Sequence, residues 1–251
     1  MSEEDLPRTV IGVSSDHTST FELAEHSHRR GQLLYAAKGV VTVSTPQGAW
    51  VAPPERGVWI PGGVPHSIKT AGAVQFRCVL IEPAAITAFG PACRVIRVSL
   101  LLRQLLVESA DIPARYDERG RDGLVMRLLV AEVNAAQTIP IAVPFPRNGA
   151  LATRCRAFLK HPDISETIDM WAEAMSMDRR RFTRLFRRET GMSFMEWKRQ
   201  ACLSWALPRL AEGDPITTIA LDLGYGNTAG FSAMFRRALG SAPSTHRTEL
   251  A

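Results

Sequence analysis

The chain of 251 residues has no run of about 18 consecutive apolar residues, so no membrane-spanning helix is read in it. Cysteine is scarce. Its four thiols, Cys78, Cys93, Cys155 and Cys202, form no CxxC pair and no dense framework, which excludes a disulfide-stapled scaffold and predicts reduced, mostly buried side chains. The start, from Met1 to Pro7, is acidic and lacks the basic-then-apolar order of a secretory leader. A soluble, cytoplasmic protein with no membrane partner is the expectation. Excess charge is missing from one half only. Residues 1–146 carry 14 Lys and Arg against 14 Asp and Glu, whereas residues 147–251 carry 16 against 11, so the whole formal +5 lies there. That asymmetry suits a chain of which one half meets a polyanion. The length is enough for two modest domains.

The basic half contains a repeat. Ile168, Trp171, Ala172 and Met175 fall at helical spacing, and 48 residues on Ile216, Ile219, Ala220 and Leu223 repeat them. Phe182, Leu185 and Phe186 are answered 49 residues later by Phe231, Met234 and Phe235, and Gly191 and Gly240 close the two units. An i, i+3, i+4, i+7 stripe buries one helix face, and two such helices around a short break make a helix-turn-helix. Two copies in tandem predict a reader of double-stranded DNA.

In the first copy Asp178 is placed to cap a helix. With Phe182, Leu185 and Phe186 inward, Arg180, Thr183, Arg184 and Arg187 fall on the outer face, where Arg can donate two hydrogen bonds to a guanine edge. Arg179, Arg181 and Arg188 lie towards the flanks and suit phosphates. Six Arg and no Lys within ten residues weigh against a merely solvated face. In the second copy Asn227 is the cap, and Thr228, Ala229, Ser232 and Arg236 point outward. This helix is expected to discriminate less, and a grip on the backbone through Arg236 and Arg237 is nearly as well supported. Between the copies, residues 194–210 read as a connecting helix that fixes the separation of the two readers.

Residues 150–251 resemble the C-terminal domain of AraC-type transcriptional regulators. The resemblance is carried by Leu185-Phe186-Arg187-Arg188-Glu189-Thr190-Gly191-Met192-Ser193, by Ala220-Leu221-Asp222-Leu223-Gly224-Tyr225, and by Phe235-Arg236-Arg237-Ala238-Leu239-Gly240 with Pro243. It departs from the family habit at Cys202 (Arg is usual), Phe194 (Pro is common) and His246 (Tyr is frequent). The resemblance implies a regulator of a promoter or operator, working as a homodimer, with RNA polymerase a partner if it activates.

The neutral half reads differently. Short strand-like stretches at 32–35, 40–44, 57–60 and 74–81 are separated by turn signals at Lys38-Gly39, Pro46-Gln47-Gly48, Pro53-Pro54 and Pro61-Gly62-Gly63, as in an all-β barrel or sandwich. Two apolar-rich helical stretches follow, near 98–108 and 121–136, expected both to pack on the barrel and to support dimerisation. Residues 139–146, with three prolines, read as an extended linker. The expected fold is therefore an α+β two-domain chain: a cupin-like sensory β-barrel over 1–90, a helical segment over 91–138, a Pro-rich linker over 139–148, and an all-α tandem helix-turn-helix domain over 149–251.

His26-Ser27-His28 is followed by Gln32 and Gly39, and downstream come Gly57, Pro61, Gly63 and His66. The order and spacing resemble the two cupin motifs, with Gln32 replacing the usual Glu. On adjacent strands His26, His28 and His66 would present imidazoles to Zn, Ni, Fe or Mn. A metal-free pocket in which these side chains and Gln32 hydrogen-bond an organic effector is the equal alternative. Tyr35, Trp50, Trp59 and Phe76 are candidates for the wall of such an effector pocket, though each also suits the core. The leading function is a sequence-specific transcriptional regulator that senses a small molecule or metal and is not an enzyme. The alternative is a metal-dependent cupin enzyme, dioxygenase-like or isomerase-like, fused to a DNA-binding domain.

Overall fold

The computed structural model describes residues 7–245, so His246 and most of the acidic start lie outside the described residues. The chain divides into two compact units: Met1–Thr45 with Trp50–Pro140, and Pro46–Ala49 with Ile141–Ala251.

The first unit holds strands β1 (Val10–His17), β2 (Glu22–His26), β3 (Gly31–Thr45), β5 (Arg56–Ile60), β6 (His66–Ile81), β7 (Arg94–Arg97) and β8 (Thr138–Ile139). They run in the order β1-β6-β3-β5-β7-β8, with β2 also on β6 and β4 (Gly48–Ala52) beside β3. Helices α1 (Leu100–Ser109) and α2 (Arg121–Ala135) close within two residues of the stretches expected from the sequence. They share one core with the sheet, in which Leu33, Tyr35, Trp59, Val79 and Ile81 meet Leu102, Leu106, Met126, Leu129 and Val133. Burial of this kind is the main stabilising term of the unit. The segment 91–138 is therefore not a separate body: its helices supply a third of the buried residues of this shared core.

Two strand expectations need correction. Lys38-Gly39 is not a turn. β3 runs through it, paired with β6 on both sides, with register shifts between Ala36 and Lys38 and between Lys38 and Val40. An extra residue taken up as a bulge bends a strand without ending it. The Pro-rich stretch is extended, as expected, but it is anchored at both ends. β8 pairs with β7, and β9 (Val143–Pro144) pairs with Gly48 and Ala49. The indole Nε1 of Trp197 donates to the Pro144 carbonyl at 2.8 Å.

The second unit is helical: α3 (Gly149–Lys160), α4 (Ile168–Ala174), α5 (Arg179–Thr190), α6 (Phe194–Ala211), α7 (Ile216–Asp222) and α8 (Thr228–Leu239). The sequence repeat becomes two helix-turn-helix pairs, α4–α5 and α7–α8, joined by α6. Asn148, Thr167, Asp178, Ser193 and Asn227 each accept a backbone N–H at the start of a helix. Gly191 and Gly240 end α5 and α8 in the left-handed conformation, φ 74° and 85°. The first pair packs on Trp171, whose ring neighbours Phe158, Phe182, Phe186, Phe194 and Trp197 at 5.0–6.4 Å. Phe194, a departure from the family habit, is part of this cluster, and Cys202, another, is fully buried. The second pair buries Ile219, Ala220, Leu223, Phe231 and Phe235.

Candidate nucleic-acid interface and sensor site

Asp178 opens α5 by accepting the Arg181 N–H at 2.9 Å. That donor, with the Arg180 N–H and the nearby Arg184 charge, holds its carboxyl below the ordinary range. Phe182 and Phe186 are completely buried, which fixes the roll of the helix and leaves Arg180, Arg181, Arg184 and Arg187 exposed. Among the described residues none of these four forms an ion pair. Arg179 pairs with Asp169 at 3.0 Å and Arg188 with Glu189 at 3.3 Å, both exposed contacts of little energetic weight. Thr183 lies on the expected face, but its hydroxyl donates back to the Arg179 carbonyl at 2.7 Å. Arg181, Arg184 and Arg188 line a groove of about 580 Å³ with Asn148, Met177 and Leu185. The C-terminal end of α5 is anchored by Glu189, which accepts the N–H groups of Arg147 and Asn148 at 3.0 and 3.1 Å.

α8 repeats this roll with smaller side chains. Asn227 is committed to capping, accepting the Gly230 N–H at 3.0 Å. Ala229 and Arg236 are exposed as expected, whereas Thr228 and Ser232 are half-buried at the flank. Gly230 and Ala233, also exposed, belong to the outward face and were missed. The 49-residue offset that relates Phe182 to Phe231 also relates Arg180 to Ala229 and Arg184 to Ala233. That offset was the available signal for Ala233.

In the first unit, His26 ends β2 directly opposite His66 at the start of β6, and His28 lies in the short connection to β3. Gly62 makes that arrangement possible. A Cβ there would fall 2.1 Å from the Arg29 carbonyl oxygen, so only a bare Cα lets the 61–63 turn lie on the loop carrying His28. The adjacent Gly63 N–H donates to the His28 carbonyl at 2.8 Å. The ring centroids of His26 and His66 are 4.3 Å apart and those of His28 and His66 5.0 Å. One nitrogen from each of the three rings lies within 4.8 Å of the others.

Each Nδ1 faces a carbonyl: Ala24 at 2.9 Å from His26, Arg30 at 2.6 Å from His28, and Val64 at 2.9 Å from His66. A carbonyl only accepts, so Nδ1 carries the proton and the lone pair of a neutral ring is on Nε2. Backbone partners on the far nitrogen orient metal-binding imidazoles in this way. The Nε2 of His66 is buried and has no hydrogen-bond partner among the described residues. Burial, with the His26 and His28 charges adding to it, pushes the His66 pKa down to about 4, so the ring is neutral as a ligand must be. The Gln32 carboxamide oxygen lies 3.1 Å from His28 Nε2; with the ring's proton on Nδ1 both atoms are acceptors, an arrangement that an ion bound by the two would make favourable. The donor set fits a divalent transition ion.

The four aromatic residues do not wall one pocket. Tyr35 and Trp59 sit in the core beneath α1 and α2. Tyr35 follows Gln32 by three residues in a regular stretch of β3, so the two side chains leave opposite faces of the sheet. Phe76 instead meets His17 and Phe21 at 5.9 and 6.0 Å, and Trp50 is buried in β4.

No helix among the described residues is long and apolar enough to cross a membrane. Residues 10–130 match the AraC-like ligand binding domain, and residues 171–249 match a helix-turn-helix domain. The HTH-type transcriptional regulator NimR of Escherichia coli is 31% identical over 236 residues, covering 93% of this chain and 86% of that protein. Regulatory protein SoxS of Salmonella typhimurium is 35% identical over 92 residues, or 36% of this chain and 86% of SoxS. Among solved structures, ToxT from Vibrio cholerae aligns over 96% of this chain and 97% of its own at 12% identity, with a TM-score of 0.41. NimR and SoxS are both named as regulators, which supports the regulator reading and not the fused-enzyme alternative. With a ligand-binding domain ahead of a tandem helix-turn-helix domain, and a regulator as its relative over nearly its full length, the chain belongs to the AraC-type transcriptional regulators.

Proposed function

We propose that this DNA-binding regulator reads its operator chiefly through α5, with Arg180 and Arg184 on base edges, Arg187 and Thr183 beside them, and Arg179, Arg181 and Arg188 on phosphates. The observation that carries the reading is the seating of α5 on the buried Phe182 and Phe186, with its four central guanidiniums exposed and without an ion pair among the described residues. α8 reads its own stretch of bases with less discrimination, since alanines stand at the positions equivalent to Arg180 and Arg184, and it adds backbone contact through Arg236 and Arg237. Replacing Arg184 by Ala should cost roughly 1–3 kcal/mol of operator binding and relax preference at one base position. Competition gel shifts over a panel of single-base operator variants measure both effects. A uniform loss across all variants would make Arg184 a phosphate contact.

The three histidines form the sensor site, holding a divalent ion such as Zn, Ni, Fe or Mn, or an organic effector that takes its place. The bare, buried Nε2 of His66 and the three carbonyl-bound Nδ1 atoms support the ion. Binding there regulates the readers only if the ligand prefers one of two conformations. The protein works in the cytoplasm as a homodimer, through the apolar residues that α1 and α2 leave exposed: Leu100 at 78%, Leu101, Leu124 at 59% and Leu128. RNA polymerase is a further partner if the regulator activates.

A further inference from the structure

Lys198, on α6, is 2% exposed. A lysine is almost never buried unless its charge is met. Among the described residues no carboxylate pairs with it. Instead its Nζ donates to the Ile164 carbonyl at 2.6 Å and the Glu166 carbonyl at 2.5 Å, with the Phe194 ring centroid 5.5 Å away. Both carbonyls belong to the segment between α3 and α4, from which the first reader springs.

The same segment is tied to the second reader. The Ile164 N–H donates to the Leu223 carbonyl at 2.9 Å, at the end of α7. The next residue, Gly224, has φ 76°, and a Cβ there would fall 2.2 Å from Asp163 Oδ1. That oxygen also accepts the Ser165 N–H at 2.7 Å, which holds the segment in shape. A line of direct contacts thus runs from the α6 ammonium, through residues 163–166, to the turn between α7 and α8.

We infer that Lys198 is a positioning residue that fixes the two reading helices relative to each other, by clamping segment 163–166 between the connecting helix and the turn of the second reader. The inference rests on the reading that α5 and α8 engage one duplex together. An apolar side chain at 198 would fill the space but take the ammonium donor from the carbonyls of Ile164 and Glu166, both half-buried residues, which favours movement of the segment away from α6 towards water. Neither reader needs the ammonium for its own core, since one is built on Trp171, Phe182 and Phe186 and the other on Ile219, Leu223, Phe231 and Phe235. Burial lowers the Lys198 pKa, and the nearby Cys202, Asp163 and Glu166 side chains oppose that shift.

The test uses the full-length protein and an operator selected from random DNA, with the two contact regions mapped by footprinting. The native protein should bind the whole operator about a hundredfold more tightly than one with the α8 region scrambled, as two linked contacts do. It should also lose most of that gain when roughly two base pairs are inserted between the regions, because rigid readers demand a fixed spacing. Lys198→Met should keep its affinity for the scrambled operator, gain less than about tenfold from the second region, and tolerate the insertion. Lys198→Arg, which retains donors, should restore much of the gain. An unchanged gain and spacing requirement in Lys198→Met, or equal losses on whole and scrambled operators, overturns the inference. If Lys198→Met does not fold, Ile164→Pro removes the N–H given to Leu223 and must relax the spacing in its place; an unrelaxed spacing overturns the inference. A native protein that protects one region only removes the two-reader premise instead.

Discussion

His66 is sealed from solvent with one ring nitrogen held by the Val64 carbonyl and the other bare. Its consequence for stability has a definite sign. The unfolded ring takes a proton near pH 6.5, whereas burial delays protonation of the folded ring to about pH 4. Stability from the neutral ring is complete above the upper value and is lost as the pH falls through that window. Urea unfolding of chelator-treated protein should therefore show a falling midpoint across this range, and His66→Gln should flatten the fall. Metal analysis of protein purified without a histidine tag should find close to one equivalent in the native chain and little in His26→Ala; less than about a tenth of an equivalent in the native chain rules out the ion. The spacing of the three histidines was legible in the sequence. Their backbone partners were not, because Ala24, Arg30 and Val64 act through carbonyls that every residue has. The faces of the aromatics were legible in part: an odd separation between Gln32 and Tyr35 puts them on opposite sides of one strand.

At the scale of the element, α5 depends on its aromatic underside. Phe186→Ala should cost about 3–5 kcal/mol, through lost burial and the cavity left among Trp171, Phe182, Phe194 and Trp197. Calorimetry of the whole chain should show this as an earlier transition of the helical unit; an unchanged profile would mean the cluster repacks. The helix-turn-helix pairs were readable because each is local, with a cap, a stripe and a closing glycine inside a few dozen residues. The strands were harder. β1 starts as Val-Ile and turns polar after Val13, and β2 has four exposed residues of five, so neither shows a buried alternation. β3 looked like two strands because a bulge carries the same glycine signal as a turn. Lys198 could not be singled out at all, since a lysine in a helix ordinarily marks the wet face.

At the scale of the whole molecule, the charge excess of the second half agrees with its place in the DNA-binding unit, and the first half, neutral in sum, carries the apolar face of α1 and α2. Placing two carboxylates on that face, Leu124→Glu with Leu128→Glu, should halve the mass found by light scattering and weaken operator binding. A dimer that survives both changes would put the interface elsewhere. The two units are also not divided at a single point of the chain. Pro46–Ala49 belongs with the helices, where Gly48 and Ala49 pair with β9 and the Gln47 carbonyl accepts the Phe145 N–H at 2.8 Å. A C-terminal fragment beginning at residue 141 would thus be born without one of its own pieces, leaving a raw strand edge beside Trp197. Dissecting this regulator at its prolines would make an incomplete reader, more prone to self-association than the intact protein, and its weaker binding would be a scar of the cut.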